Sequence, residues 1–300
     1  AGVYYGAFEV LGPAAKVKEM PMEERNAPVF DLSDFATLLA WSSGVQEFIK
    51  HGSPAGIADL LQQEAVPRMK GSRGQDTCGK IWGGVAHNLR ETGNQIAACR
   101  GGELVKGEAF DKLRLYLEQC EDLPALPPPF VPLIKRIADK IEPFRKNEAE
   151  NCLRAVEWCL EHDLVQQGLT MLQEGLVTLI ALRYGFDWKV EADRTLVSET
   201  ISVFNQKTPE AEWKGEASRR PELVLRIQND PFVAAVAGDF DMLSKARNDI
   251  NHGGFTDAVP AKELRKKLRK AYEAICAEWM LRRETGQYAA GTENQTQEGG

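Results

Sequence analysis

In the stretch RNDINHGG an arginine at 247 and a histidine at 252 close a helical pattern. These two residue types are suited to cutting RNA without a metal. Arginine stays charged at any ordinary pH and can clamp a phosphorane, while histidine titrates near neutrality and can move the protons of an attacking 2′-hydroxyl and a leaving 5′-oxygen. Asn248, four residues before His252 on the same helical face, can orient the imidazole, and Arg247 stands in the same relation to Asn251. Arg247 and His252 themselves diverge, because five residues at about 100° each leave them roughly 140° apart on a regular helix. A site that uses both needs a distorted helix end or a second copy of the chain. The bland reading, an ordinary helix end with a solvated basic residue, carries the same R-x-x-x-x-H pattern.

The elements that must position these residues are helical. Asp239 is expected to cap a helix running to His252, with Phe240, Leu243 and Ile250 facing inward and Gly253 and Gly254 ending it. His252 then lies in the last turn, where free carbonyls and the negative end of the helix dipole favour imidazolium. Gln167, Thr170, Glu174 and Thr178 form a polar stripe on an otherwise apolar helix, and Glu174 either braces Arg247 by a charge-assisted bond or faces solvent. The last helix buries Leu264, Leu268, Tyr272, Ile275 and Trp279 and carries the basic run Lys262, Arg265, Lys266, Lys267, Arg269, Lys270. Such a run is by default a solvated face. Its place directly after RNDINH gives RNA phosphate guidance as the sharper alternative, with Arg265, Lys266 and Arg269 as candidate contacts. The other histidines read as structural: His51 before a helix-ending glycine, His162 solvated at an acidic helix end, and His87 either buried or exposed.

Composition bounds the rest. With 300 residues, 43% hydrophobic and 27% charged, the chain suffices for one large domain or two ordinary ones. A net charge of -7 excludes a general nucleic-acid coat, which needs a basic surface to release counterions. Any nucleic-acid site must be local. No apolar run approaches the roughly 18 residues of a membrane span and the first residues do not form a signal peptide, so a soluble cytoplasmic protein with no membrane partner is expected. Six cysteines without a C-x-x-C pair read as reduced core thiols, and no metal is expected.

The chain starts with Ala1 and runs at once into VYYGAFEV, as a piece of something longer would. That run and APVFDL can pair as a scrap of sheet, and helical segments follow almost throughout. In DLSDFATLLAWSSGVQEFIKHG, Phe35, Leu38, Leu39, Val45, Phe48 and Ile49 mark the expected buried face, Asp31 or Ser33 the cap and Gly52 the stop; SPAGIADLLQQEA completes a helical hairpin. DLPALPPP breaks the pattern and is the best internal boundary.

RNDINHGG resembles the R-x(4–6)-H signature of the HEPN superfamily (higher eukaryotes and prokaryotes nucleotide-binding), including the polar residue after the arginine, here Asn248, and the position near the start of the final helical pair of an all-α bundle. YYGAFE followed by APVFDLSDFATLLAWSSGVQEFIKHGSPAGIADLL resembles the passage from sensor domain to helical region in CRISPR-associated CARF–HEPN ribonucleases of type III systems, CARF being the CRISPR-associated Rossmann fold. Together these matches cover most of the chain. They imply a homodimeric antiviral endoribonuclease in which cyclic oligoadenylate binds paired CARF domains and a composite HEPN site cuts single-stranded RNA without metal or other cofactor. Arg247 and His252 take the family's catalytic roles, Asn248 its polar position, and Glu174 resembles the acidic residue on an earlier helix; Asn251 is a supporting candidate.

The sensor is missing apart from its possible final strand at residues 3–9. The resulting expectation is a mainly α, multi-helix bundle with a sensor remnant over 1–31, a helical linker region over 32–123, a C-terminal HEPN domain over 124–285 and a disordered tail over 286–300. The rival expectation is a HEPN module that dimerises or regulates without catalysis.

Overall fold

A computed structural model describes residues 2–255 and 258–284. The fold is mainly helical with one small N-terminal sheet. Strands β1 (Tyr4–Gly6) and β2 (Val29–Asp31) form the pair expected of the two β-prone runs, and the structure makes it antiparallel with Tyr5 opposite Phe30. β1 is shorter than the expected 3–9 because the backbone tightens into a 3-10 helix at Phe8–Leu11. A short helix α1 (Ala14–Glu19) follows. The tail expected over 286–300 lies outside the described residues.

Helices α2 (Ser33–His51) and α3 (Ala55–Gly71) form the expected hairpin. Asp31 Oδ1 accepts the Ser33 N–H at 2.9 Å, and Gly52 ends α2 at a φ of 65°. The buried face differs from expectation. Only Phe48 of the six apolar residues is buried, Val45 packs at the core's edge, and Phe35 and Leu39 are 63% and 72% exposed. α2 turns Trp41, Gly44 and Phe48 inward instead, because it crosses α3 where Gly44 meets the backbone of Gly56; a Cβ on Gly44 would stand 3.2 Å from the Gly56 carbonyl carbon. With Gly44 fixed at the crossing, about 100° per residue places Phe35 on the opposite side of the helix.

α4 (Thr77–Ala97) is capped by Asp76, whose carboxylate accepts the Gly79 N–H at 2.6 Å, and is followed by α5 (Gly101–Lys106) and α6 (Glu108–Glu121). Beyond the proline-rich segment come α7 (Val131–Ile141), α8 (Asn151–Glu161), α9 (Val165–Arg183) and α10 (Glu191–Gln206). Then follow α11 (Gly215–Arg219), α12 (Pro221–Gln228), α13 (Pro231–Asn251) and α14 (Ala261–Glu284). One hydrophobic core passes through both halves: the Trp41 ring lies 6.2 Å from that of Phe130, and Phe48 lies 6.0 Å from Trp158. Cys78, Cys120, Cys152 and Cys159 are buried free thiols, and burial pushes Cys120 up to about 11 and Cys152 and Cys159 to about 12, so these three stay neutral. No helix among the described residues is long and apolar enough to cross a membrane.

α9 is the hub of the C-terminal half, packed by α8, α10, α13 and α14. Gly168 and Gly175 make that closeness possible, since a Cβ there would meet Leu268 at 2.5 Å and Cys152 at 2.7 Å. Two expectations around this hub are corrected. α13 begins nine residues earlier than expected: Asp230 is the cap, its Oδ1 accepting the Phe232 N–H at 2.8 Å, and Pro231 fills the first position, where a missing N–H costs nothing. Asp239 is instead half-buried in mid-helix, where desolvation pushes its carboxyl up. His162 is not solvated; its side chain is 8% exposed and its ring lies 5.5 Å from that of Trp158.

Candidate functional site

The end of α13 delivers RNDINHGG. His252 donates its N–H to Asn248 O at 2.9 Å, Gly253 to Ile250 O at 3.0 Å and Gly254 to Asp249 O at 3.0 Å, a Schellman closure. Gly253 and Gly254 have φ of 72° and 60°, the left-handed region that glycine enters without a Cβ penalty. The glycines are the stop their positions predict. His252 follows the last helical residue and exposes its side chain into a groove of about 620 Å³ that it lines with Lys245, Asn248, Asp249 and Phe255. The Val259 N–H donates to Asp249 Oδ2 at 3.2 Å and ties the following loop back to the helix.

Arg247 points elsewhere and does not line that groove. It faces α9, where its Nη1 donates to Glu174 Oε1 at 2.8 Å. The open question about Glu174 is thereby answered geometrically: it is paired with Arg247, and its side chain is still 44% exposed. One turn back along α13, Ser244 Oγ accepts from Gln173 Nε2 at 2.9 Å, a further polar tie across the α9–α13 contact. The Arg247 side chain is 27% exposed, and its Nε is buried with no partner among the described residues.

Arg194, on α10, is the residue of this cluster that inspection of the sequence missed. Its Nη2 donates to the second oxygen of Glu174, Oε2, at 2.8 Å. The same guanidinium donates to Thr178 Oγ1 at 2.8 Å, Trp188 O at 3.2 Å and Glu174 O at 3.2 Å. Burial opposes ionisation of Glu174, but the bonds from Arg194 and Arg247 outweigh it and hold the carboxyl below its usual range. A signal was present: a cation close behind the first turn of a helix meets the positive end of the dipole and needs acceptors elsewhere.

Among the described residues, Asn248 and His252 share the groove wall without a side-chain bond between them, and Asn251 meets Gln166 Nε2 at 3.5 Å rather than Arg247. The basic run of α14 divides. Arg265 is committed to the end of α8, with Nη1 2.6 Å from Asp163 Oδ1 and Nη2 donating to Leu160 O at 3.2 Å. Lys266 pairs along its own helix with Glu263 at 2.9 Å, and Arg269 is exposed with no carboxylate partner among the described residues. The buried side of α14 is the expected one: Leu264, Leu268, Ile275 and Trp279 are buried and Tyr272 is half-buried. A larger groove of about 840 Å³ lies apart from the motif, between α3, α4 and α6, with exposed His87 on its wall.

No protein-family model matches the chain, and no curated protein matches it in sequence.

Proposed function

We propose that the chain is the helical effector part of a HEPN-type endoribonuclease, cutting single-stranded RNA without a metal. The observation that carries this reading is the pairing of Arg247 with Glu174 on the central helix, while His252 stands exposed at the glycine-closed end of the same helix as Arg247. An arginine held by a carboxylate is oriented and still positive on its remaining nitrogens, as a clamp for a phosphorane must be. An exposed imidazole beside Asn248 can take or deliver a proton.

In the reaction the 2′-oxygen attacks phosphorus and the bond to the 5′-oxygen breaks. A base removes the 2′-hydroxyl proton and an acid protonates the departing 5′-oxygen, leaving a 2′,3′-cyclic phosphate and a 5′-hydroxyl. Arg247 stabilises the charge on the non-bridging oxygens, His252 moves a proton, and Asn248 orients it. Because Arg247 and His252 diverge, the working site is composed from two chains about a two-fold axis, where the motif meets its own copy. On this reading the protein acts in a cytoplasmic antiviral CRISPR type III response, with cyclic oligoadenylate as the proposed activator.

The same divergence also favours a second reading, a HEPN module that dimerises or regulates without cleaving. Product chemistry separates the two. RNA cut by the protein should carry cyclic phosphate and 5′-hydroxyl ends, and an oligonucleotide with 2′-deoxy sugars should stay intact. Absence of cleavage supports the non-catalytic module, and 3′-hydroxyl ends overturn the 2′-hydroxyl mechanism.

A further inference from the structure

The carboxylate of Glu174 has two oxygens and two arginines, one on each. A carboxylate left with a single arginine has both oxygens free to take it bidentate, against two guanidinium nitrogens, the geometry such pairs frequently adopt. Here Arg194 occupies Oε2, so Arg247 is held at Oε1 through Nη1 alone. This leaves Arg247 Nη2 without a protein acceptor among the described residues, while Nε is turned into the protein. A guanidinium fixed at one corner and open at another is what a phosphate clamp requires.

Arg194 can do this because it is bonded on several sides. Its four acceptors lie on α9 and on the segment leading into α10, and they include both the carboxylate and the backbone oxygen of Glu174 itself. Thr178 closes the arrangement, accepting from Arg194 while its own hydroxyl donates to Glu174 O at 2.9 Å. The polar stripe along α9 thus has a use at its Glu174–Thr178 end: it seats Arg194.

We infer that Arg194 is a positioning residue for the ribonuclease site, acting through Glu174 to keep Arg247 singly bonded and available to the scissile phosphate. The inference rests on the proposed nuclease reading. Without Arg194 the Glu174 carboxylate is free to turn both oxygens onto Arg247, neutralising and withdrawing it. With Glu174 also neutral there is nothing to withdraw Arg247, so Arg194 should then cease to matter. That dependence separates positioning from a general structural role.

The test is steady-state cleavage of labelled single-stranded RNA by the wild type, Arg194→Gln, Arg194→Lys, Glu174→Gln and the double variant R194Q/E174Q, with R247A as control. Misplacing a charge clamp costs about tenfold or more, so R194Q should lose about tenfold in kcat with KM within about twofold. R194K, which keeps a cation near Oε2 but loses the guanidinium fork that also holds Thr178, Trp188 O and Glu174 O, should recover part of that loss and fall between wild type and R194Q. Adding R194Q to E174Q should cost nothing further. An unchanged kcat in R194Q, an equal loss in both backgrounds, or no rescue by lysine overturns the inference. Should R194Q not fold, Thr178→Val removes one anchor of the same guanidinium and carries the same comparison against E174Q. If the wild type does not cleave, or R247A cleaves as well as it does, the nuclease reading fails first and the role of Arg194 falls with it; cleavage that needs Arg247 and ignores Arg194 overturns this inference alone.

Discussion

Arg247 and His252 lie on the same helix end but face different partners: Arg247 bonds Glu174 at 2.8 Å across the α9–α13 contact, and His252 lines a groove in which Arg247 has no part. The divergence expected from helix geometry is therefore kept in the folded chain, where α13 ends in a Schellman closure. On the proposed reading, a second chain would bring the two residues into one site.

The first prediction concerns that second chain. Sedimentation should show a species of twice the 33.3 kDa chain mass, and cleavage per chain should fall as dilution drives the protein to monomer. A monomer that cleaves at an undiminished rate per chain would remove the composite site.

Acid should weaken the tie that holds Arg247. The Glu174 carboxyl is depressed below its ordinary value of 4.5 by the bonds from Arg194 and Arg247, which outweigh the opposing effect of burial. A depressed carboxylate contributes stability above its unfolded value and loses it as pH falls through its folded value. Because the side chain is 44% exposed, solvent screening keeps the contribution at about 1 kcal/mol or less. Urea unfolding of wild type and Glu174→Gln should therefore show the larger gap at pH 7 and a smaller one at pH 3. An equal gap at both pH values would show that ionisation of Glu174 is not what stabilises the fold there.

Asp230 predicts a larger effect. Its side chain is 6% exposed, accepts from Arg183 Nε at 2.5 Å and Tyr184 Oη at 3.0 Å, and caps α13, which carries Arg247 and Asn248 and leads into His252. Removing the carboxylate of a buried pair that also caps a helix costs about 3 kcal/mol or more. Asp230→Ala should lower the urea midpoint accordingly and reduce cleavage by loosening α13. The same substitution at Asp239, the cap expected from the sequence, should cost much less, and the reverse order would contradict the observed helix start.

Two arginines of α14, Arg265 and Arg269, should separate in RNA binding. Arg265 is spent on Asp163 and Leu160 O, whereas Arg269 is exposed and uncommitted among the described residues. If the α14 face guides phosphates, Arg269→Ala should weaken binding of single-stranded RNA and lower the salt slope by about 1, less for single strands than for duplex. Arg265→Ala should leave the slope unchanged. Fluorescence anisotropy at several salt concentrations measures both, and identical slopes in all three proteins would return this run to an ordinary solvated face.

What the sequence makes legible here is what local rules decide. The pairing of residues 4–6 with 29–31, the stops at Gly52 and at Gly253–Gly254, and the buried side of α14 follow from period, β-propensity and glycine chemistry. The face of α2 was not legible, since it is set by where two glycines let α2 and α3 cross and not by the helix's own apolar period. The start of α13 was hidden by a second aspartate that looks like a cap, although Asp230 followed by Pro231 is the stronger signal. At the site, Glu174 could be named as a candidate but its partners could not. Arg194 reaches it from a separate helix, and that meeting is decided by the packing of α10 on α9.

The central claim is that Arg247 and His252 cut RNA without a metal. It is tested most directly by incubating end-labelled single-stranded RNA with the protein in EDTA, beside Arg247→Ala and His252→Ala. Cleavage by the wild type should persist in EDTA and fall by about a hundredfold or more in each variant, as loss of a charge clamp or a general acid–base group does. Equal cleavage by all three proteins, or cleavage abolished by EDTA alone, would contradict the account.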